Sequence, residues 1–486
     1  MRIVKEKVKE RIYEKNLKDL FRQTFGRRAE MLKKLKGDGS ARQIYRMVSG
    51  KITVVGVYGP DKLENRAFLE FSKHFRKLNL PIPEIYAENR DKQIYLEEDL
   101  GDVTLFDYLT IARKDSGFPK KAEKMYKKAI SYLPQFQLRA MKGFNLNYCY
   151  PRRSFDRQSI LWDLNYFKYY FLKLANIPFN EQKLESDFNV FADFLLQADR
   201  EYLLYRDFQS RNIMIKNSSP RFIDFQGARG GALQYDIASL LYDAKADIPY
   251  KVRKELLDFY LRQLSKYIPV NVKKFMDFYP AYVYIRIMQA MGAYGLRGFY
   301  EGKTHFLESV PYAVKNIEYL LTHSREFPVR VPHLMRVFRN IVDSSRLRQL
   351  GKAKLGLTVR IQSFSYRSGI PSDERGHGGG FVFDCRALPN PGKFAAYASL
   401  SGKDAQVAEF LERRKEVGDF LRHVFELIRR TAENYLKRNF SDLMVSFGCT
   451  GGRHRSVYCA EKLGQYLGKM KNVNVEIRHL GMEPPP

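Results

Sequence analysis

Between residues 205 and 227 the chain reads Tyr205-Arg206-Asp207-Phe208-Gln209-Ser210-Arg211-Asn212-Ile213-Met214-Ile215 and then Ile223-Asp224-Phe225-Gln226-Gly227. Short apolar runs bounded by turn residues predict a pair of strands here, with three polar side chains at their edges. An Asp, an Asn five residues on and a second Asp twelve residues further supply what phosphoryl transfer requires. Asp207 is placed to orient a hydroxyl and accept its proton. Asn212 and Asp224 offer hard oxygen donors for Mg²⁺ bridging nucleotide phosphates.

At 486 residues and 44% hydrophobic content, the chain is long enough for two or three domains with separate cores. No run of about 18 apolar residues occurs, and the first residues, Met1-Arg2-Ile3-Val4-Lys5-Glu6, are charged. The expectation is a cytoplasmic protein with no membrane partner. Four cysteines, Cys149, Cys385, Cys449 and Cys459, form no C-x-x-C pair, so neither a disulfide framework nor a zinc site is expected. The net charge of +30 falls mostly on the first 355 residues and favours an anionic partner: nucleotide, sugar phosphate or RNA. Many lysines nevertheless lie on amphipathic helices such as residues 120–128, where they solubilise one face.

Residues 1–16 read as an N-terminal helical extension. Hairpin strands follow at 31–36, 43–48 and 52–58, then a helix over 63–78 and a strand over 94–98. From 104 to about 323 the pattern is helical apart from the catalytic strands. A helix is expected from the Pro-punctuated stretch 327–332 to Leu350, then a basic linker at 351–356. The remainder has an α/β order: strands at 357–364 and 381–386, one long helix over 404–435, a strand at 443–447 and a helix from Arg455. The turn Gly376-His377-Gly378-Gly379-Gly380 reads as a loop insertion.

The first part resembles the aminoglycoside phosphotransferase-like kinases, and among them the anomeric kinases of N-acetylmuramate and N-acetylglucosamine. The resemblance is carried by Gly37-Asp38-Gly39-Ser40-Ala41-Arg42-Gln43-Ile44-Tyr45-Arg46, Pro81-Ile82-Pro83-Glu84-Ile85, Leu96-Glu97-Glu98-Asp99-Leu100-Gly101-Asp102, the catalytic segment, Tyr235-Asp236-Ile237-Ala238-Ser239-Leu240-Leu241 and Met291-Gly292-Ala293-Tyr294. It implies an α+β bilobal protein-kinase-like fold, with an N-lobe over 17–103 and a C-lobe over 104–325. It also implies ATP as the nucleotide, held by Gly39, Ser40 and Arg42 near the first turn and by Glu98 and Leu100 at the hinge. The strand 52–58 lacks the phosphate-pairing lysine of protein kinases, so Arg42 or Arg46 is expected to stand in. Glu64 and Glu70 then have no partner to assign. Tyr205 replaces the family's usual His, and Asp236 is expected to bond the catalytic-loop backbone. The stretch 295–304 ends in Gly-Lys-Thr, but Arg297 occupies the place of the first Walker glycine, so it reads as an interhelical turn.

Residues 443–459 form a strand, a Gly-rich turn and a helix start. With residues 363–371 and Asp384-Cys385-Arg386-Ala387-Leu388-Pro389-Asn390-Pro391 they resemble the C-terminal domain of the RNase adaptor protein RapZ, a smaller α/β domain over 357–486. In that family the domain binds glucosamine-6-phosphate and takes part in small-RNA recognition. The resemblance implies an amino-sugar-phosphate site at Asp384, Thr450, Gly451, Gly452, Arg453, His454, Arg455 and Ser456, on an anion nest at a helix N-terminus. Homo-oligomerisation through this domain is a further expectation. The tail Gly481-Met482-Glu483-Pro484-Pro485-Pro486 lacks the family's basic residues, which weakens RNA binding. The loop also spells Cys449-x5-Arg455-Ser456, the cradle of cysteine-based phosphatases.

Together these features predict an ATP- and Mg²⁺-dependent sugar kinase with an appended sugar-phosphate-binding domain. Its expected acceptor is an N-acetylated amino sugar at its anomeric hydroxyl, as in cell-wall sugar recycling. The alternatives are a regulatory RNA-binding adaptor on a kinase-derived scaffold, an aminoglycoside-modifying kinase and a cysteine-dependent phosphatase.

Overall fold

The computed structural model describes residues 2–35, 42–89, 91, 93–113, 118–323, 327, 329–350, 356–373, 380–437, 440 and 442–482, with side chains from residue 12 onward. The chain divides into two compact units, Met1–Lys303 with Glu326–Val337, and Thr304–Arg325 with Phe338–Pro486. Among the described residues no helix is long and apolar enough to cross a membrane.

The first unit opens with α1 (Arg2–Phe25), continuous through the expected extension, and an antiparallel sheet. Its strands are β1 (Met31–Lys34), β2 (Gln43–Ser49), β3 (Ile52–Tyr58), β4 (Ile85–Glu88) and β5 (Ile94–Glu98), in the order β1-β2-β3-β5-β4. Alternation gives the sheet two faces. Tyr45, Met47, Val54 and Leu96 pack with Leu17 and Phe21 of α1. On the other face Tyr95 stacks on Phe68 of α2 (Lys62–Lys77). Asp61 caps α2 by accepting from the amides of Leu63 and Glu64, which fixes where the helix begins. Phe68 and Phe75, on the buried stripe of α2, both reach Phe225, at 4.8 and 5.2 Å between ring centres. That contact seats the segment carrying Asp224 against the helix carrying Glu64.

The rest of this unit is helical around two short strand pairs. One is β6 (Tyr202–Leu204) with a later strand β9 (Arg229–Gly231); the other is the hairpin β7 (Ile213–Lys216) and β8 (Ser219–Phe222). The stretch 295–304 begins as a direct continuation of the helix Val272–Tyr294. A Cβ on Gly295 would fall 1.9 Å from the Tyr170 carbonyl oxygen, so that glycine serves close helix packing.

The second unit holds a parallel sheet of β10 (Leu357–Ser365), β11 (Phe381–Asp384), β12 (Asp442–Cys449) and β13 (Val473–His479), in the order β11-β12-β10-β13. Its core joins Val359 and Ile361 to Val445, Phe447, Leu421, Val424 and Ile428. The single helix expected over 404–435 is two, Ala405–Glu412 and Lys415–Lys437. Their buried residues explain the break: Val407 and Leu411 keep a four-residue step, but the next, Val417, comes six residues on. A straight helix would carry it about a third of a turn off the stripe. The helix expected to reach Leu350 is likewise split into Pro332–Asp343 and Ser345–Arg348, the second capped by Ser344. Edge strand β13 was not expected. Of the Gly-rich turn at 376–380, residues 376–379 lie outside the described residues.

Candidate active site

The predicted catalytic residues meet where the loop between β6 and β7, carrying Asp207 and Asn212, faces the residues after β8, carrying Asp224. Arg206 and Asp224 both have left-handed backbones, with φ of 82° and 65°, a conformation costly for side-chain-bearing residues. It is held by Asp236, whose carboxylate accepts from the backbone amides of Tyr205 (2.8 Å) and Arg206 (3.0 Å). Burial pushes Asp236 up to about 7 against those bonds. Tyr205, fully buried, donates its hydroxyl to the Ile223 carbonyl at 2.6 Å, tying the loop to the segment that delivers Asp224.

Asn212 donates to the Asp207 carbonyl (2.9 Å) and to Asp224 Oδ2 (3.1 Å), while Gln226 donates to Asp224 Oδ1 (2.7 Å). The Asn212 amide lies beside the Asp224 carboxylate through its Nδ2, and its oxygen and that carboxylate are both hard donors. Among the described residues no three His, Cys, Asp or Glu assemble a metal cage. The pair suits a cation such as Mg²⁺, which takes one or two protein oxygens and fills the rest with phosphate and water. Burial raises the pKa of Asp207, with Arg206 opposing and Asp224 adding to the rise.

Near the start of β2 the two candidate arginines part company. Arg46, on β2, donates to Asp99 at 2.6 and 3.0 Å and to Asp102 at 3.0 Å, clasping the segment after β5. Arg42 turns instead to Glu64 of α2, at 3.2 Å, with its side chain 8% exposed. Burial works against the Arg42 charge, but Tyr95, Glu64, Asp224 and Glu97 outweigh it and raise its pKa. Glu64, to which the sequence reading gave no partner, thus pairs with Arg42, and Glu70 pairs with Lys73 at 3.3 Å. The sequence reading missed the first pair because the cation lies just ahead of β2 and not on β3. Burial pushes Glu97 up to about 8, with Arg42 opposing. Glu98 accepts from Lys216 at 2.7 Å, and Leu100 is buried. Gly39 and Ser40 lie outside the described residues.

Sequence reasoning also missed the residues that other elements bring close to Asp207. Arg206 makes a bidentate pair with Asp163 (2.7 and 2.8 Å) and meets the Tyr235 hydroxyl at 2.6 Å. Arg229, opening β9, donates to the carbonyls of Gly227 (2.9 Å) and Tyr150 (3.4 Å). Arg286, in the helix Val272–Tyr294, meets Tyr235 at 3.4 Å and Gln289. Arginines within mainly apolar stretches were the available signal.

In the second unit all eight predicted residues gather at the carboxyl ends of the strands, where open α/β sheets bind ligands. Asp384 registers with Gly448, and Ser365 with Cys449. The turn 450–454 then leads into the helix Arg455–Leu467. Ser365 donates to the Thr450 carbonyl at 2.7 Å. Gly452 has φ +64°, and a Cβ there would lie 2.8 Å from the Ser365 nitrogen, so only glycine fits the bend. Gly451 has open space around it. The flanking side chains are engaged: Arg453 on the Ser399 carbonyl (2.6 Å), His454 on that of Tyr397 (3.0 Å), and Asp384 with Arg386 (2.7 Å). Arg455 is 5% exposed and donates to the carbonyls of Arg386 (2.7 Å) and Leu388 (3.0 Å). Its visible work is to hold the 384–391 loop beside the turn. Ser456 lies 3.1 Å from Cys449 Sγ. Burial opposes ionisation of that thiol, yet the Ser456 hydroxyl, the Ser456 and Gly452 amides and Arg455 bring its pKa below the usual range.

Residues 32–270 match the model of the phosphotransferase enzyme family, and residues 357–483 that of the RapZ C-terminal domain. The RNase adapter protein RapZ of Serratia proteamaculans is 38% identical over 143 residues, 29% of this chain and 48% of that protein. A nucleotide-binding protein of Hahella chejuensis is 36% identical over 137 residues, 28% of this chain and 46% of the relative. One from Pseudothermotoga lettingae is 31% identical over 211 residues, 43% of this chain and 73% of the relative. The chain spans about half the length of the first curated relatives it matches. Among solved structures, the choline kinase LicA of Streptococcus pneumoniae is similar at 16% identity and a TM-score of 0.40, covering 62% of this chain and 97% of that one. The ethanolamine kinase of Plasmodium vivax is 16% identical with a TM-score of 0.44, covering 59% and 81%.

Proposed function

We propose that this chain, which belongs to the phosphotransferase enzyme family over residues 32–270 and carries a RapZ C-terminal domain over 357–483, is an ATP-dependent kinase of an N-acetylated amino sugar. Phosphorylation falls at the anomeric hydroxyl, and the second unit binds an amino-sugar phosphate. The observation that carries the reading is the meeting of Asp207, Asn212 and Asp224 around one hydrogen-bonded loop. Asp207 Oδ orients the acceptor hydroxyl and takes its proton as the hydroxyl oxygen bonds to the γ-phosphorus; the bond from that phosphorus to the β–γ bridging oxygen breaks, and ADP leaves. Asn212 and Asp224 would hold Mg²⁺, which supplies charge neutralisation at the phosphates. Arg42, braced by Glu64, stands where a phosphate-pairing cation is needed, whereas Arg46 is committed to Asp99 and Asp102.

Support for an amino sugar comes from the two resemblances, one in each half of the sequence. The test is ATP turnover with a panel of amino sugars, with phosphorus NMR of the product. Correlation of the phosphorus with the anomeric proton is expected, and phosphate found on another hydroxyl refutes the position. The charge of +30 favours a second reading, an RNA-binding adaptor. RNA retention that persists from low to physiological salt in a chain without sugar turnover would favour it.

A further inference from the structure

Three cysteines of the second unit, Cys385, Cys449 and Cys459, are free thiols packed into one buried core. The proposed kinase and sugar-phosphate chemistry uses none of them. Their places follow from the topology. β11 and β12 run parallel with Asp384 opposite Gly448. The Cys385 amide donates to the Gly448 carbonyl at 2.8 Å, which carries the register one residue on and sets Cys385 across from Cys449. Neighbouring strands lie about 4.8 Å apart, and residues in register share a face. A disulfide joins Cα atoms about 4.4–6.8 Å apart, so this pair is within bridging reach. Cys459, on the helix Arg455–Leu467, adjoins Cys385.

The two thiols in register have opposite surroundings. Cys449 ends β12 at the phosphate turn, with the Ser456 hydroxyl 3.1 Å from its sulfur. Burial opposes its ionisation, but that hydroxyl, the amides of Ser456 and Gly452 and the charge of Arg455 outweigh it and favour the thiolate. Cys385 keeps its proton: the neighbouring Cys459 thiol and burial raise its pKa well above the usual range. A thiolate beside a protonated thiol is the asymmetry of an attacking and a resolving cysteine.

We propose that Cys449 and Cys385 form a peroxide-responsive dithiol, which closes to a disulfide under the phosphate turn and shuts the sugar-phosphate site. The Cys449 sulfur attacks one oxygen of hydrogen peroxide; the S–O bond forms, the O–O bond breaks and hydroxide leaves, giving a sulfenic acid. Cys385 sulfur then attacks Cys449 sulfur, and the displaced hydroxyl leaves with the Cys385 proton as water. Sulfur has lost two electrons and peroxide has gained them. Closure takes the Cys449 sulfur away from Ser456, a residue of the phosphate site. Access rests on the phosphate reading of the turn, since an opening that admits phosphate to the Gly452 and Ser456 amides admits the smaller peroxide. The pairing itself rests on the strand register.

The test exposes the reduced full chain to hydrogen peroxide at neutral pH and maps its peptides by mass without reduction. A Cys385–Cys449 peptide pair lighter by two hydrogens is expected. It should form at least about tenfold faster than Cys149 is oxidised, because burial pushes that part-buried thiol of the first unit up to about 12. No linkage, a Cys449–Cys459 linkage, or oxidation of Cys149 at an equal rate overturns the proposal, and none of these readouts needs a variant. In Cys385→Ala the reaction should stop at a Cys449 sulfenic acid that dimedone traps; its absence would refute Cys449 as the attacking thiol. Calorimetry with glucosamine-6-phosphate follows the consequence. Affinity should fall at least about tenfold on oxidation and return with dithiothreitol, and equal affinity in both forms overturns the switch. A reduced chain that does not bind this ligand refutes the sugar-phosphate reading, while the peptide map still decides whether the bridge forms.

Discussion

Arg42 and Arg46 lie four residues apart, and their partners assign them different work. Arg42→Met should raise the KM for ATP and lower kcat/KM at least about tenfold, since it removes a charge facing Glu64 and Asp224. Arg46→Met should instead loosen the segment after β5, costing about 1–3 kcal/mol in urea unfolding, with a smaller kinetic effect. Equal kinetic losses in the two variants would contradict the division. Asp207→Asn should bind ADP and fold as the native chain does while losing about 10²–10⁴ in rate; retained turnover would refute its role. Glu97 gives a pH signature. Its folded pKa is about 8, above that of an ordinary carboxyl, because burial disfavours the ion. Between pH 4.5 and 8 the unfolded chain releases this proton while the native chain keeps it, so the stability it contributes is present at low pH and lost as pH rises. Glu97→Gln should therefore flatten the fall in melting temperature between pH 5 and 8.

At the level of strands and helices, the sheet of the first unit and the catalytic hairpin were legible because their signals are local: alternation, turn residues and fixed spacing along a few residues. Asp207, Asn212 and Asp224 were readable for the same reason. The Arg42–Glu64 pair and the setting of Arg229 and Arg286 were not, because they depend on which elements pack together. The split near Arg413 was written in the sequence as a six-residue step between Leu411 and Val417, but a strong helical composition hid it. β13 was readable too, as Val473, Val475 and Ile477 alternating with polar residues. Arg455 shows how tertiary contacts change a residue's meaning. The motif suggests a ligand contact, and the structure adds two carbonyl bonds that hold the 384–391 loop. Arg455→Ala should cost about 2–4 kcal/mol of stability in the second unit, as expected for losing charge-assisted hydrogen bonds from a buried group, followed by denaturant unfolding. A change below 0.5 kcal/mol would show that the loop does not depend on it.

Across the whole molecule, two sheets with separate cores carry the two proposed sites. In calorimetry on full-length Asp207→Asn without ATP, an amino-sugar phosphate should bind at the second unit, and the plain sugar should bind only at the acceptor site of the first. Gly452→Ala should remove the binding at the second unit, because a Cβ would strike the Ser365 nitrogen at a left-handed position. Binding that survives the alanine would place the phosphate elsewhere. The order of segments has its own consequence. Residues 304–325 belong with the second unit and 326–337 with the first, and the buried Glu318–Arg348 pair, at 2.8 Å, lies on the near side of the 351–356 stretch. A protease nick or a gene truncation at that stretch would leave the carboxyl-terminal fragment short of a helix that belongs to it. The two units are therefore interleaved along the chain, and a cut at 351–356 separates the second sheet from segments ahead of it that pack in the same unit.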